Sequence, residues 1–222
     1  EAKGFRFAFG AEMEFYLFRL DEYGEPTRIP YDRAGYMDIA PDDRGETIRR
    51  EICLMLERMG ICPESSHHES GPGQNEIDFR YSDPLAAADN AVTFHAMVRT
   101  VAAQNGLCAS FSPKPLADWD GNGMHINVSA RCDENAQPLP GVIAGILENI
   151  RDMTLSMNPC EESYDRLGHD KAPLYVTWSA ENRSQLIRIP AAAGEAVLCR
   201  SDDQSVHRLC AHDLRRTAWA CA

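Results

Sequence analysis

Residues 5–20, FRFAFGAEMEFYLFRL, constrain the fold more than any other stretch. Phe5, Phe7, Phe9, Ala11, Met13, Phe15 and Leu17 fall at every second position, the period of a strand with one face against a core. Glu12 and Glu14 therefore share the opposite face. A strand that aligns two carboxylates on one side places like charges close together, and something must neutralise them.

The remaining elements come in shorter runs. DEYGEP reads as a turn. A helix is expected over 45–59, capped by Asp42 or Asp43, with Ile48, Ile52, Met55, Leu56 and Met59 on its buried stripe and Gly60 ending it. The SSHHES segment before Gly71-Pro72-Gly73 reads as surface loop, and QNEIDFRY as a strand. In that strand Ile77, Phe79 and Tyr81 oppose Glu76, Asp78 and Arg80. Ser82-Asp83-Pro84 opens a second helix that reaches Gly106. LCASFS and GMHINVSA are strands, the second projecting His125, Asn127 and Ser129 away from Met124, Ile126 and Val128. A third helix lies near 141–157, and LYVTWSA and QLIRIP are strands flanking ENRS. Strands and helices without a repeated βαβ rhythm indicate an α+β fold on a mostly antiparallel sheet, in one domain over residues 1–222.

Composition closes off several function classes. A net charge of −12 with no basic stripe argues against nucleic-acid binding. No apolar run reaches the roughly 20 residues that cross a bilayer, so no membrane partner is expected. The start, EAKGFRF, lacks a signal-peptide pattern, and eight cysteines contain no CxxC pair. Together these point to a cytoplasmic protein with reduced thiols.

If the strands share one sheet, its polar face gathers Glu12, Glu14, Glu76 and His125, with Glu69 across the Gly-Pro-Gly corner. A like-charge pair about 4 Å apart costs roughly 4 kcal/mol at an effective dielectric of 20. Protonation or bound cations must relieve that cost. Carboxylate oxygens with an occasional imidazole suit Mg²⁺ or Mn²⁺. Each residue taken singly has an ordinary alternative: a solvated glutamate, a structural histidine (His67 and His68 included), or a surface ion pair for Arg183 and Arg188.

Five segments in order, GAEMEF, HHESGPGQNEIDFRY, PKPLADWDGNGMHINVS, SYDRL and APLYVTWSAENRSQLIRIP, resemble successive motifs of the glutamine synthetase catalytic domain. The resemblance covers roughly residues 7–190. It implies the glutamine synthetase/guanido kinase-like fold, with a curved sheet as active-site floor backed by helices. It also implies ATP and Mg²⁺ or Mn²⁺ as cofactors, and glutamate, ammonia and ATP as ligands. The product is glutamine, made by way of a γ-glutamyl phosphate. The metal ligands implied are Glu14, Glu69 and Glu76 for one ion, and Glu12 and His125 for a second. Arg166, Arg183 and Arg188 correspond to catalytic arginines, and Gly121, Arg166, Arg188 and Arg200 to substrate contacts. Glu64, Tyr81 and Ser129 correspond to nucleotide contacts. Family members are ring-shaped homo-oligomers, with a preceding β-grasp domain and further C-terminal helices that this segment lacks.

Several positions depart from the pattern. Lys171 stands where the family has a loop glutamate that takes a proton from ammonium, with Asp170 as a substitute. Leu198 stands where the second ion's third ligand belongs. Asn127 replaces a histidine, and Asp120 an asparagine. These departures keep two alternatives open: a γ-glutamyl ligase for another amine, and a catalytically silent module that binds nucleotide and metal.

Overall fold

The computed structural model describes residues 4–132, 138–180, 182 and 184–189, and the backbone of 195–200. Its organising element is the expected long strand, β1 (Phe5–Leu20). β1 is longer than any partner, so successive stretches of it pair with different strands. Residues 5–13 pair with β6 (Met124–Cys132), and residues 12–16 with β4 (Gln74–Phe79). Residues 16–19 pair with β5 (Leu107–Ser110), and 18–20 with β2 (Pro26–Pro30). β3 (Pro63–His68) lies beyond β4, and β9 (Glu195–Arg200), β8 (Ile187–Arg188) and β7 (Trp178–Ser179) lie beyond β6. Every pairing is antiparallel except β7 with β8.

One face of this sheet is core. Phe9, Ala11, Met13, Phe15 and Leu17 are buried with Ile77, Phe79, Met124, Ile126 and Val128. The helices α1 (Glu46–Arg58), α2 (Pro84–Gln104) and α3 (Leu139–Met157) supply Ile48, Ile52, Leu56, Phe94, Val98, Val142, Ile146 and Ile150 to the same cluster. α2 begins as the sequence implies: Asp83 accepts hydrogen bonds from the Leu85 and Ala86 backbone N–H groups, and Pro84 follows. α1 differs, because its N-cap is Gly45. Asp43 still accepts a bond from the Glu46 N–H, but its carboxylate is mainly engaged by Arg49.

Other differences have local causes. β3 is polar and reads as loop, yet it pairs with β4 along the chain from Pro63↔Phe79 to His68↔Asn75. β2 and the short α4 (Glu162–Arg166) carry no periodic signal. The two expected strands around ENRS shrink to two residues each, while Leu174, Tyr175 and Trp178 stand exposed. The five cysteines described (53, 62, 108, 132 and 160) are free thiols, and no helix among the described residues is long and apolar enough to cross a membrane.

Candidate active site

Register alone brings the sequence-predicted acids together. Glu14 lies opposite Glu76, and Glu12 lies between Asp78 on β4 and His125 on β6. On the next strand His67 lies opposite Glu76. The hairpin then turns through the Gly-Pro-Gly corner, closed by Glu69 N–H to Gln74 C=O at 2.9 Å and Gln74 N–H to Gly71 C=O at 2.9 Å. The corner must be glycine-rich because it packs directly on β1. A Cβ on Gly71 would fall on the Tyr16 hydroxyl, and Gly73 has φ +70° and sits against the Leu17 carbonyl. This tight turn carries Glu69 back over the sheet beside Glu76.

The result is an open cavity of roughly 210 Å³. Five carboxylates (Glu12, Glu14, Glu69, Glu76 and Asp78) and two imidazoles (His67 and His125) line it, with Lys171 and Arg188 as its cations. One ligating atom each from His67, Glu69 and Glu76 lie within 4.8 Å of one another. Glu12 Oε2 is 3.0 Å from His125 Nδ1, and Glu12 Oε1 accepts a 2.9 Å bond from Asn127. Glu14 Oε2 accepts from Gln74 at 3.0 Å and from the Gly123 N–H at 2.9 Å. Glu69 accepts from the Ser70 N–H at 2.8 Å and lies 3.4 Å from His67.

Electrostatics divides these acids into two kinds. Burial pushes Glu76 up to about 11, with the charges of Glu14 and Asp78 adding to it. Burial likewise raises Glu14 to about 7, assisted by Glu69 and opposed by His125 and Arg166. For Glu12, burial is outweighed by the bond and charge of His125, with help from Asn127 and Arg188, which hold it at about 2. Glu69 is also held at about 2: His67, Ser70 and Lys171 outweigh its burial. One oxygen of Asp78, Oδ1, is buried without a hydrogen-bond partner, and the other accepts from Ser65. Crowded oxygen donors, two of them carrying protons near neutrality and one oxygen orphaned, fit a hard divalent cation such as Mg²⁺ or Mn²⁺.

A second, smaller cavity adjoins the first and shares Glu14, Glu69, His125 and Lys171 with it. Gly121, Asp120, Gln74, Arg166, His169, Asp170 and Ala172 complete its lining. Gly121 cannot be enlarged: a Cβ there would strike the Pro113 carbonyl and stand 3.0 Å from the Arg166 side chain. Arg166 is buried, and its guanidinium lies beside Gly123 near Glu14.

Other predicted residues lie along the sheet. Ser129 pairs with Ala8, six positions before Glu14, and Tyr81 packs against Gly10. Glu64 sits at the β-bulge between Pro63 and Ser65. Arg188 reaches the acidic cavity. Arg183 and the side chains of Leu198 and Arg200 lie outside the described residues, although Leu198 is placed in register opposite Ile126. Asp170 is engaged by Lys114 at 2.9 Å, and the Asp120 carbonyl accepts the Tyr16 hydroxyl at 2.6 Å.

The sequence alone gives Asp78 no site role and leaves His67 open between a structural role and one supporting the ligands. Asp78 follows Glu76 by two positions, so strand period was a sufficient signal. His67 could be found only through the register of a strand that the sequence hides.

Comparison with known proteins identifies the family. Residues 1–203 match the family of the glutamine synthetase catalytic domain. Glutamine synthetase of Clostridium saccharobutylicum is 46% identical in an alignment covering 91% of this chain and 49% of that protein. The Staphylococcus aureus (strain MW2) enzyme is 48% identical over 85% of this chain and 45% of its own. The chain thus spans about half the length of the curated relatives it matches. A cryo-EM structure of Plasmodium falciparum glutamine synthetase superimposes with TM-score 0.85 over 99% of this chain and 53% of that one; at 22% identity it speaks for the fold. An ADP complex of GmaS gives TM-score 0.84 at 27% identity, over 99% of this chain and 56% of that one. A match along nearly the whole chain, shared with enzymes almost half identical to it, makes this chain a member of the glutamine synthetase family within its catalytic domain.

Proposed function

We propose that the protein to which this chain belongs ligates ammonia to the γ-carboxylate of glutamate at the expense of ATP, through a γ-glutamyl phosphate. The observation that carries this reading is the junction of the two cavities. A carboxylate-rich cavity fit for divalent ions opens onto one lined by Arg166 and the uncluttered backbone of Gly121.

Glu14, Glu69 and Glu76 would hold one ion and Glu12 with His125 another, supplying charge neutralisation and alignment for the terminal phosphate of ATP. Glu64, Tyr81 and Ser129 are assigned to the nucleotide. From Ala8, opposite Ser129, to Glu14 is six strand positions, roughly 20 Å. That length lets a nucleotide lie along the sheet with its phosphates at the acids. Arg166 and Gly121 receive the amino acid, and Arg188 faces the transferred phosphate. Arg183 and Arg200 are assigned by family position to the phosphate and the substrate.

In the first step a γ-carboxylate oxygen bonds to the terminal phosphorus and ADP leaves. In the second, the amine nitrogen bonds to the acyl carbon, inorganic phosphate leaves, and the nitrogen gives up a proton. Arginine forks suit both the carboxylate and the phosphoryl oxygens. The reading extends to residues 1–222 as one catalytic segment of a cytoplasmic, ring-forming enzyme.

A second reading rests on Lys171, which lines both cavities and points at Glu69. A cation there repels ammonium, and the altered loop that carries it would be the feature that admits a larger amine. The test uses the full-length protein: phosphate release from ATP with glutamate plus ammonium, against glutamate plus a panel of alkylamines. Release with ammonium supports ligation of ammonia, and release only with a larger amine supports the second reading. Binding of Mg²⁺ and a nonhydrolysable ATP analogue without release under any condition points to a silent module.

A further inference from the structure

Lys171 is presented by a turn pinned on both sides. Gly168 and Asp170 adopt positive φ (+79° and +53°), the Ala172 N–H donates to the His169 carbonyl at 2.9 Å, and Ala172 is buried. Asp170 is held by Lys114, which also donates to the Trp119 carbonyl at 2.7 Å. The turn therefore leaves Lys171 a narrow range of directions, and the one taken is over the acidic cavity. Its Nζ is 3.3 Å from Ser70 Oγ, 4.0 Å from Glu69 Oε2 and 5.4 Å from the centre of the Tyr36 ring. Tyr36 in turn stands edge-on to His67. The ammonium thus rests on a carboxylate, a hydroxyl and an aromatic face, three groups that each favour a cation.

We propose that Lys171 is the cavity's own counter-cation: without a metal ion it shares the charge of Glu69, and a divalent ion must compete with it for that carboxylate. The inference rests on the reading of Glu14, Glu69 and Glu76 as metal ligands. The pair is half open to solvent on the lysine side, with 53% of that side chain exposed. The competition is therefore modest and reversible, as suits a residue that yields when the ion arrives. Metal binding frees the ammonium from Glu69 toward the adjoining cavity, where it faces the same space as Arg166.

Two measurements test this, and neither depends on turnover. Mn²⁺ affinity is measured for the native protein, K171Q and K171R, with thermal melts to establish that each is folded. K171Q should bind Mn²⁺ roughly two- to fivefold more tightly, the scale expected for an ion pair of this exposure. K171R should stay near native. Separately, amine acylation of the native protein is followed by mass spectrometry with and without Mn²⁺. The chain contains only Lys3, Lys114 and Lys171, so Lys3 serves as reference. Mn²⁺ should accelerate labelling of Lys171. Equal affinity in native and K171Q, or labelling at Lys171 that Mn²⁺ leaves unchanged, overturns the proposal and leaves the metal site standing. Failure of both native and K171Q to bind Mn²⁺ overturns the metal site and this inference together.

Discussion

His67 and His68 are neighbours in sequence and face opposite kinds of electrostatics. His67 looks into the acidic cavity, where five carboxylates meet few cations. His68 is fully buried behind it in a network where each charge is matched. Its Nε2 is 2.9 Å from Asp32 Oδ1, and its Nδ1 is 2.6 Å from the Glu69 carbonyl. Asp32 also accepts the N–H groups of Gly73, Arg44 and Gly45. Nearby Arg49 spans both oxygens of Asp43 and donates to Asn75. Compensated charge fastens the corner to α1, whereas the crowded acids facing the cavity are only partly compensated, two of them by keeping protons. The first kind holds the fold and the second awaits a ligand.

The largest expected effect lies in the compensated region. Arg49→Ala leaves Asp43 buried without its partner and should cost about 3–5 kcal/mol in a denaturant melt. A loss below about 1 kcal/mol would mean that the network is ornamental. In the cavity the order reverses. Glu76 is held at about 11, so at pH 7 it keeps a proton that the unfolded chain releases, and Glu76→Gln, which needs no proton, should raise metal-free stability there. The same substitution should weaken Mn²⁺ binding by at least about tenfold, on the scale seen for residues that support metal sites. A strongly destabilised variant with unaltered Mn²⁺ affinity would erase the distinction.

The pH responses should also diverge. Glu14 and Glu76 keep protons in the folded protein that unfolded carboxylates release near 4.5. Metal-free stability contributed by these acids therefore falls as pH rises above about 4.5, up to about 7 for Glu14 and on toward about 11 for Glu76. Saturating Mg²⁺ should flatten that decline. The Asp32–His68 pair behaves differently. Burial opposes both charged forms, but hydrogen bonding to the partner prevails, lowering Asp32 and raising His68. Its contribution is lost as pH falls through the depressed Asp32 value, and lost again as pH rises through the elevated His68 value. Melting curves of Asp32→Asn against native, across pH 3 to 9, read the pair directly. A variant penalty that does not vary with pH would refute the linkage. The smallest effect lies outside both regions: Asp83→Ala removes the α2 cap and should cost about 1 kcal/mol.

The sequence was most legible where one strand carries its own pattern. β1 spans the run that its alternation marks, and β4 and β6 declare their polar faces, so Glu12, Glu14, Glu76 and His125 are legible together. What it hid was long-range and aperiodic. β3 is polar on both faces, so its register, and with it the role of His67, has no local signal. Asp32 meets His68 across 36 residues through a loop that follows β2. Lys171 could be recognised as a departure from the family, but its rest over Glu69 depends on a turn built from Gly168 and Asp170.

The account turns on protons that the metal-free acids retain and a divalent ion expels. Calorimetric titration of Mn²⁺ near pH 7, repeated in buffers of different ionisation enthalpy, counts them. Saturable binding whose heat varies with the buffer, with net proton release, is the predicted result. Heat independent of the buffer, or no binding at millimolar Mn²⁺, would contradict it.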